Sequence, residues 1–397
     1  MLSRLSPIHR IAIARAVSVG GTEAAFVALV ALVYQTTGSG LWVAAVLGTW
    51  IGVEGLVAPL AGALGDRFDR QVVMVVADLA AALVFAAMAF VTHPAALVGL
   101  AALAAAAEAP FPSASSAAIP NLVDPSRIAW ANGTIAATRT VGNLAGPLVG
   151  GGMVAFAGAS SVFVLNAISF ALSAALVWSI RGARFREPTR AAKRRRGLLA
   201  GLHIVWGDPT LRGLAAAGTI LHLGIGGVLV SELPLVESFG YGPIAYGLLV
   251  AMWAGGALIG SLWGRSLGAH PNLLRIIALG AGGSAVGLGL VGSSPWISLA
   301  IVAQLAGGIG NGVANVSEEI LIQRSTPDEV RSRVIGLIQA LQMTALGVSL
   351  GLAGLALGVL SPQALYLVAG GLGLAAVVVV VRIPRAAENV DVQARAV

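Results

Sequence analysis

The chain has 397 residues, of which 57% are hydrophobic and only 10% are charged. Soluble domains carry about 25% charged residues, so this composition excludes a soluble globular protein and indicates an integral membrane protein. Cysteine is absent, which excludes disulfide scaffolds, cysteine nucleophiles and thiolate metal sites. A formal net charge of +7 suits either nucleic acid or a membrane surface, and the positions of the basic residues decide between these partners.

Apolar runs of about 20 residues, each long enough to cross a bilayer core, follow one another along the chain. Arg15 and Glu23 interrupt the first run, so we expect a retained helix and not a cleaved signal peptide. The pattern predicts an all-α integral membrane protein with twelve transmembrane helices. The predicted spans are 11–34, 42–60, 72–91, 94–118, 134–155, 161–180, 213–233, 244–264, 276–291, 296–316, 334–360 and 364–381.

The basic residues are distributed unevenly between the two sides of the membrane. Every lysine and arginine except Arg15 and Arg139 falls in an alternate loop or at a terminus, and the remaining loops carry none. Such asymmetry places the basic loops in the cytoplasm. We therefore expect a multi-pass protein of the plasma or inner membrane with both termini in the cytoplasm.

The longest connection, residues 181–212, contains the run Lys193-Arg194-Arg195-Arg196. We expect this run to contact anionic lipid headgroups and not nucleic acid, because it lies between membrane spans. The connection separates six spans in residues 1–180 from six in residues 213–397. An internal repeat supports this division, since residues 62–67 recur without their acid at 260–265. Repeats of this kind imply two pseudo-symmetric six-helix bundles around a cavity at the membrane midplane.

The connection between the second and third spans reads Gly62-Ala63-Leu64-Gly65-Asp66-Arg67-Phe68-Asp69-Arg70-Gln71. The glycines allow close approach of the helices, and we expect Asp66 to cap the third helix. This loop resembles the one between helices two and three of the major facilitator superfamily, although Asp69 and Gln71 depart from the family pattern. The resemblance implies a transporter with a gating loop formed by Gly62, Asp66, Arg67 and Arg70. We expect Asp78, near the inner end of the third span, to support this loop.

The fifth span contains Gly142-Asn143-Leu144-Ala145-Gly146-Pro147-Leu148-Val149-Gly150-Gly151. Small residues let helix backbones meet closely and a proline bends a helix. The segment resembles the signature Gly-x-x-x-Gly-Pro-x-x-Gly-Gly of antiporters in the same superfamily, which implies an exporter. Segments 119–123, 130–133, 166–170 and 322–327 resemble its twelve-helix drug:proton antiporter branch, which contains enterobactin and macrolide exporters. The fourth span lacks the arginine that many drug:proton antiporters carry there.

Three acids, Glu23, Glu54 and Glu108, lie roughly 18–20 Å from the starts of their helices, near the midplane of a core of ~30 Å. A charge at this depth costs about 2.5–3.5 kcal/mol, so each acid should face a cavity, bind a partner or hold a proton. Arg139, about 9 Å into the fifth span, is the predicted partner of Glu108. This pair is either structural or part of proton coupling.

Other acids are expected to lie closer to the membrane surfaces. Glu232 should be solvated near the outer end of the seventh span. Glu318 and Glu319 should lie near the inner end of the tenth span, where Arg324 and Arg331 are available.

The remaining motifs do not support catalysis. Residues 287–292 fit GxGxxG but lie inside a span with no preceding strand, and the sequence has neither a P-loop nor a metal or nucleophile motif. We therefore expect no enzyme and no cofactor. The sequence favours a monomeric, proton-coupled exporter of lipophilic small molecules, with protons and membrane lipids as its other partners. Lipid or lysolipid translocation, nutrient import and a transport-silent receptor are the alternatives.

Overall fold

The computed structural model describes residues 6–181, 185, 204–267, 270, 272–326 and 328–384. The run Lys193–Arg196 lies outside them, as do the surroundings of Gly62 and the side chain of Asp66. The helices are α1 (Pro7–Thr37), α2 (Gly40–Arg67), α3 (Arg70–Met88), α4 (Pro94–Glu108), α5 (Pro110–Leu122), α6 (Ile128–Ala157), α7 (Ala159–Trp178), α8 (Pro209–Ser238), α9 (Pro243–Leu267), α10 (Leu273–Gly292), α11 (Ile297–Ser325), α12 (Asp328–Ala356) and α13 (Pro362–Val381).

The twelve predicted crossings are confirmed. The described residues contain 12 helices that are long and apolar enough to cross a membrane. Helices α4 and α5 together form the fourth crossing, Pro94–Leu122. They are separated at Pro110, which has no backbone N–H to continue the hydrogen-bond ladder of α4.

The chain forms two compact units. Unit 1 comprises Met1–Ala192 and Gly240–Ala251, and unit 2 comprises Lys193–Phe239 and Met252–Val397. The first half of α9 therefore groups with unit 1, although the rest of that helix groups with unit 2. Small residues explain this grouping, because Gly247 of α9 meets the carbonyl group of Pro147 and the Cα atom of Gly151 on α6.

Within unit 1, α1 packs closely against α7. A Cβ atom added at Gly21 would lie 2.5 Å from Ser169 Oγ and would also meet Asn166. Glycine is therefore the residue that fits this contact between α1 and α7. Asn166 is fully buried and its Oδ1 accepts a hydrogen bond of 2.9 Å from Ser169 Oγ. A hydrogen bond within α7 therefore lies beside the close contact that Gly21 of α1 makes with this helix.

Within unit 2, glycines of α11 make the equivalent contacts with α10. A Cβ atom added at Gly287 would lie 2.5 Å from the Cα atom of Gly307, and one at Gly310 would lie 2.5 Å from the carbonyl oxygen of Gly280. The glycines of residues 287–292 thus lie within α10, and Gly287 serves helix packing.

The connection between α2 and α3 differs from the prediction. Helix α2 continues to Arg67, so Asp66 belongs to its last turn and the expectation that Asp66 caps α3 is wrong. Asp69 is the cap, and its Oδ1 accepts hydrogen bonds from the backbone N–H groups of Gln71 (2.8 Å) and Val72 (3.3 Å). The physical reason is that α2 extends further than predicted, which leaves Asp69 at the start of α3.

This cap gives a first prediction. Replacing Asp69 by alanine should lower the free energy of unfolding by about 0.5–2 kcal/mol, because two backbone donors of α3 lose their acceptor. Asp69→Asn keeps a side-chain oxygen and should stay close to wild type. The measurement is unfolding of the detergent-purified protein followed by circular dichroism. Equal stability of Asp69→Ala and wild type would contradict the assigned cap.

Candidate transport site

Charged groups from three helices meet in unit 1. Glu23 on α1 is partly buried and Glu54 on α2 is exposed. Arg139 and Glu54 are the charged groups that interact electrostatically with Glu23. Two carboxylates and one guanidinium group therefore form a cluster, which we call the Glu23 cluster.

Glu108, at the end of α4, has a different partner from the one predicted. Its Oε2 accepts a hydrogen bond of 3.0 Å from Thr22 Oγ1 on α1. Its Oε1 is buried and has no hydrogen-bond partner among the described residues. No ion pair joins Glu108 to Arg139 in this part of the chain, so the predicted pairing is wrong. The reason is that Thr22 occupies one carboxylate oxygen while Arg139, which is exposed, interacts with Glu23.

Arg15 of α1 is a candidate residue that sequence reasoning did not place in the site. It interacts electrostatically with Arg139, Glu108, Asp78 and Glu54. Its guanidinium carbon lies 5.6 Å from the ring centroid of Phe111, within the range of cation–π attraction. The fourth span lacks an arginine, and Arg15 of α1 is a basic residue that interacts with Glu108 of that span. The sequence signal was a basic residue within a span, but the sequence alone did not show which acids lie beside it.

Asp78 lies inside the bundle and does not support the gating loop. It is eight residues into α3, about 12 Å along the helix axis, and is only 2% exposed. Its Oδ2 accepts a hydrogen bond of 2.6 Å from Ser173 Oγ on α7. Asp78 therefore joins α3 to α7 inside the bundle, which corrects the expected role.

Residues of the predicted gating loop bind the ends of neighbouring helices. Arg70 Nη1 donates hydrogen bonds to the carbonyl oxygens of Ala117 (2.7 Å) and Phe185 (3.1 Å). Gln71 Nε2 donates to the carbonyl oxygens of Val177 and Ile180, at 2.9 and 2.8 Å. These bonds satisfy carbonyl groups near the ends of α5 and α7. Arg67 is exposed, with its guanidinium carbon 5.7 Å from the ring centroid of Phe68.

The glycines of α6 form a stripe that contacts the backbone of α1. Gly142, Gly146 and Gly150 are spaced four residues apart, so they share one face of the helix. A Cβ atom at Gly146 would lie 2.5 Å from Glu23 Cβ. Cβ atoms at Gly142 and Gly150 would lie 2.9 Å from Gly20 N and 2.6 Å from the carbonyl oxygen of Ala24. The glycine stripe therefore contacts the α1 segment that carries Glu23.

Two further residues of α6, Pro147 and Gly151, contact α9. Gly151 meets the carbonyl group of Pro243 and the Cα atom of Gly247 at the start of α9, and the carbonyl group of Pro147 also meets Gly247. The segment 142–151 thus supplies two separate close contacts, one with α1 and one with the start of α9.

One acid of unit 2, Glu232, departs from its expectation. Glu232 on α8 is only 5% exposed, and its Oε1 accepts a hydrogen bond of 3.3 Å from Gln304 Nε2. The expectation of a solvated Glu232 is wrong because α11 covers it with Gln304. Glu319 is exposed and its Oε1 accepts from Gln323 Nε2. Glu318 has neither a hydrogen bond nor an ion pair within the described chain.

Comparison with known proteins identifies the fold and the family. The sequence profile described as Major Facilitator Superfamily matches residues 11–277 and 217–396. The chain belongs to this superfamily. As a Major Facilitator Superfamily protein it is a membrane transporter and not an enzyme.

Relatives of this transporter include two bacterial proteins. The uncharacterized MFS-type transporter YfiS of Bacillus subtilis (strain 168) is 27% identical over 314 residues, which cover 75% of this chain and 73% of YfiS. The enterobactin exporter EntS of Escherichia coli is 26% identical over 260 residues, 65% of this chain and 61% of EntS. The match to EntS therefore spans less than two thirds of that protein.

Solved structures share the fold of this transporter. The nucleoside transporter NupG aligns with a TM-score of 0.79 at 12% identity, over 96% of this chain and 99% of NupG. A bacterial homologue of the iron transporter ferroportin aligns with a TM-score of 0.74 at 17% identity, over 95% and 98% of the two chains. The D-xylose-proton symporter aligns with a TM-score of 0.73 at 14% identity, over 95% and 97%. At these identities the likeness shows the fold alone.

The glycine stripe gives a second prediction. Gly146→Leu should abolish transport or leave an uncoupled leak, because no side chain fits between Gly146 and Glu23 without moving α6 away from α1. Gly152→Leu is the matched control on the same helix, since nothing lies within 4 Å of a Cβ atom there. Both variants are tested for membrane insertion, gel-filtration behaviour and transport in proteoliposomes. Full coupled transport by Gly146→Leu would refute the packing argument.

Proposed function

We propose that this transporter exports lipophilic small molecules, cations among them, in exchange for protons. The observation that carries the proposal is the Glu23 cluster, in which Glu23, Glu54 and Arg139 interact from three different helices. Fixed charges at such depth are costly, and in membrane proteins they mark ion and substrate pathways. The cluster therefore supplies a site for the coupling proton.

Charge balance within the cluster explains how exchange would work. Arg139 compensates one carboxylate, which leaves a single negative charge when both acids are ionised, because Arg15 and Glu108, which also interact with Glu54, carry opposite charges that offset each other. One proton neutralises that charge, and so does one substrate cation. Proton and substrate therefore compete for the same charge, and this competition is what an antiporter needs. A difference in their binding to the two access states then supplies the coupling free energy.

The two acids have different roles in this scheme. Glu54 lies on α2, whose C-terminal part carries Gly62, Asp66 and Arg67 of the proposed gating group, with Arg70 at the start of α3, so its protonation can be transmitted along that helix. Glu23 is seated by the glycine stripe, so its position depends on the contact between α1 and α6. We infer that Glu54 carries the proton and that Glu23 contributes most to binding a substrate cation.

The direction of transport rests on the fifth span. Residues 142–151 match the antiporter signature, and one relative is named an enterobactin exporter. We therefore infer export, with lipophilic cations and catecholate siderophores as the first compounds to test. The distribution of lysine and arginine supports a protein of the plasma or inner membrane with both termini in the cytoplasm, and we propose that it acts as a monomer. The basic run Lys193–Arg196 would then lie near anionic lipids.

Proton release on substrate binding tests this proposal. Adding tetraphenylphosphonium to weakly buffered, detergent-purified wild type should release protons, because the cation replaces a proton in the Glu23 cluster. Glu54→Gln should keep some cation binding through Glu23, independent of pH, but release few or no protons, whereas Glu23→Gln should bind the cation most weakly. The readouts are a pH-indicator dye and, separately, direct binding of the labelled cation.

Glu319→Gln serves as the control, since Glu319 is exposed and hydrogen-bonded to Gln323. It should release protons as wild type does. Undiminished proton release in Glu23→Gln, Glu54→Gln and the double variant would rule out these acids as the carriers.

A further inference from the structure

Unit 2 contains a polar face that the proposed exchange does not use. Asn311, Asn315 and Glu318 of α11 are spaced four and three residues apart, so they lie on one face of the helix. Asn315 Nδ2 donates a hydrogen bond of 3.0 Å to Asn311 Oδ1. The amide oxygen of Asn315 is not used in that bond and is available to a ligand. Asn311 is at the middle of α11, and Glu318 lies about 10 Å further along the helix.

This polar face borders a small cavity lined by residues of α8, α10, α11 and α13, where the Asn315 side chain is also exposed at the surface. The cavity has about 20 Å³ of space for water, and a single water needs about 10–15 Å³ by the same measure. It therefore has room for one water-sized species. The side chains that bring oxygen atoms to it are those of Ser284, Asn311, Asn315 and Glu318.

Glu318 has no positive partner in this cavity. Among the described residues that line the cavity there is no lysine, arginine or histidine, and Glu318 is the only titratable one. The adjacent histidine on α8 is His222, whose Nδ1 lies 2.8 Å from the carbonyl oxygen of Gly218. Since Glu318 also has no hydrogen bond or ion pair among the described residues, its charge within a span is uncompensated, which is costly.

We propose that this cavity binds one small monovalent cation, either Na⁺ or a proton held by the hydrated carboxylate, with Glu318 as its charged ligand. A cation of this size fits the space, and carboxylate, amide and hydroxyl oxygens are the donors that a hard cation prefers. The site lies wholly in unit 2, so it does not depend on exchange at the Glu23 cluster. It gives the second unit a cation-binding group of its own.

The test uses purified protein without any transported substrate. In the first arm, thermal unfolding is followed in NaCl and in choline chloride at equal ionic strength. If Na⁺ is the ligand, NaCl should raise the unfolding temperature of wild type, because a ligand that binds only the folded state stabilises it. Glu318→Gln should lose this rise, and Asn315→Ala should shift it to higher NaCl concentrations. Glu319→Gln, on the next residue of the same helix, should keep it.

In the second arm, protons bound by wild type and by Glu318→Gln are counted by potentiometric titration in Na⁺-free solution. If the proton is the ligand, wild type should bind one more proton per chain than Glu318→Gln between about pH 6 and 8. A solvated glutamate is already ionised in this range. A positive result in either arm supports the site and identifies its cation. If Glu318→Gln matches wild type in both arms, the proposal is overturned, whatever the outcome of the experiments on Glu23 and Glu54.

Discussion

Backbone contact between α1 and α6 is the constraint on which the charged site of unit 1 depends. Lipid tails are as apolar as leucine, so transmembrane helices gain little from hydrophobic burial against each other and rely on close packing. Gly142, Gly146 and Gly150 provide that packing, and Gly146 faces the Cβ atom of Glu23. The antiporter-like glycine segment and the acid at the midplane are therefore parts of one structure. A change in the contact between α1 and α6 must also move the acid.

Helix α1 also interacts with the other charged groups within the spans of unit 1. Arg15, Thr22 and Glu23 all lie on α1, and each faces acids or bases from different helices. Thr22 binds Glu108 and Arg15 interacts with Glu108 and Asp78. Charges within a span are stable only with partners or a proton. Moving α1 therefore changes how the charges of these groups and of the Glu23 cluster are compensated. Glu318 of unit 2 lacks such a protein partner within the described chain, which makes it the exception.

The sequence predicted the features that depend on length, hydropathy and helical rise. It predicted the twelve crossings, and it singled out Glu23 and Glu54, which interact electrostatically in the structure. It did not predict which groups meet, because pairing depends on how each helix is rotated and on what its neighbours offer. Glu108 is hydrogen-bonded to Thr22 and not paired with the predicted Arg139. Glu232, which was expected to be solvated, is covered by Gln304. Because α2 extends to Arg67, Asp69 caps α3 in place of the predicted Asp66. Composition alone does not show at which residue a helix ends.

The most direct test of proton-driven export is accumulation of a quaternary phosphonium cation in proteoliposomes, with the membrane potential clamped by K⁺ and valinomycin. The charge of this cation does not change with pH, so passive trapping of a weak base cannot mimic transport. Exchange with protons predicts accumulation in vesicles with an acidic interior, abolished by Glu54→Gln, and none in vesicles with an alkaline interior. Equal accumulation without a pH gradient, or accumulation that requires an alkaline interior, would contradict the account.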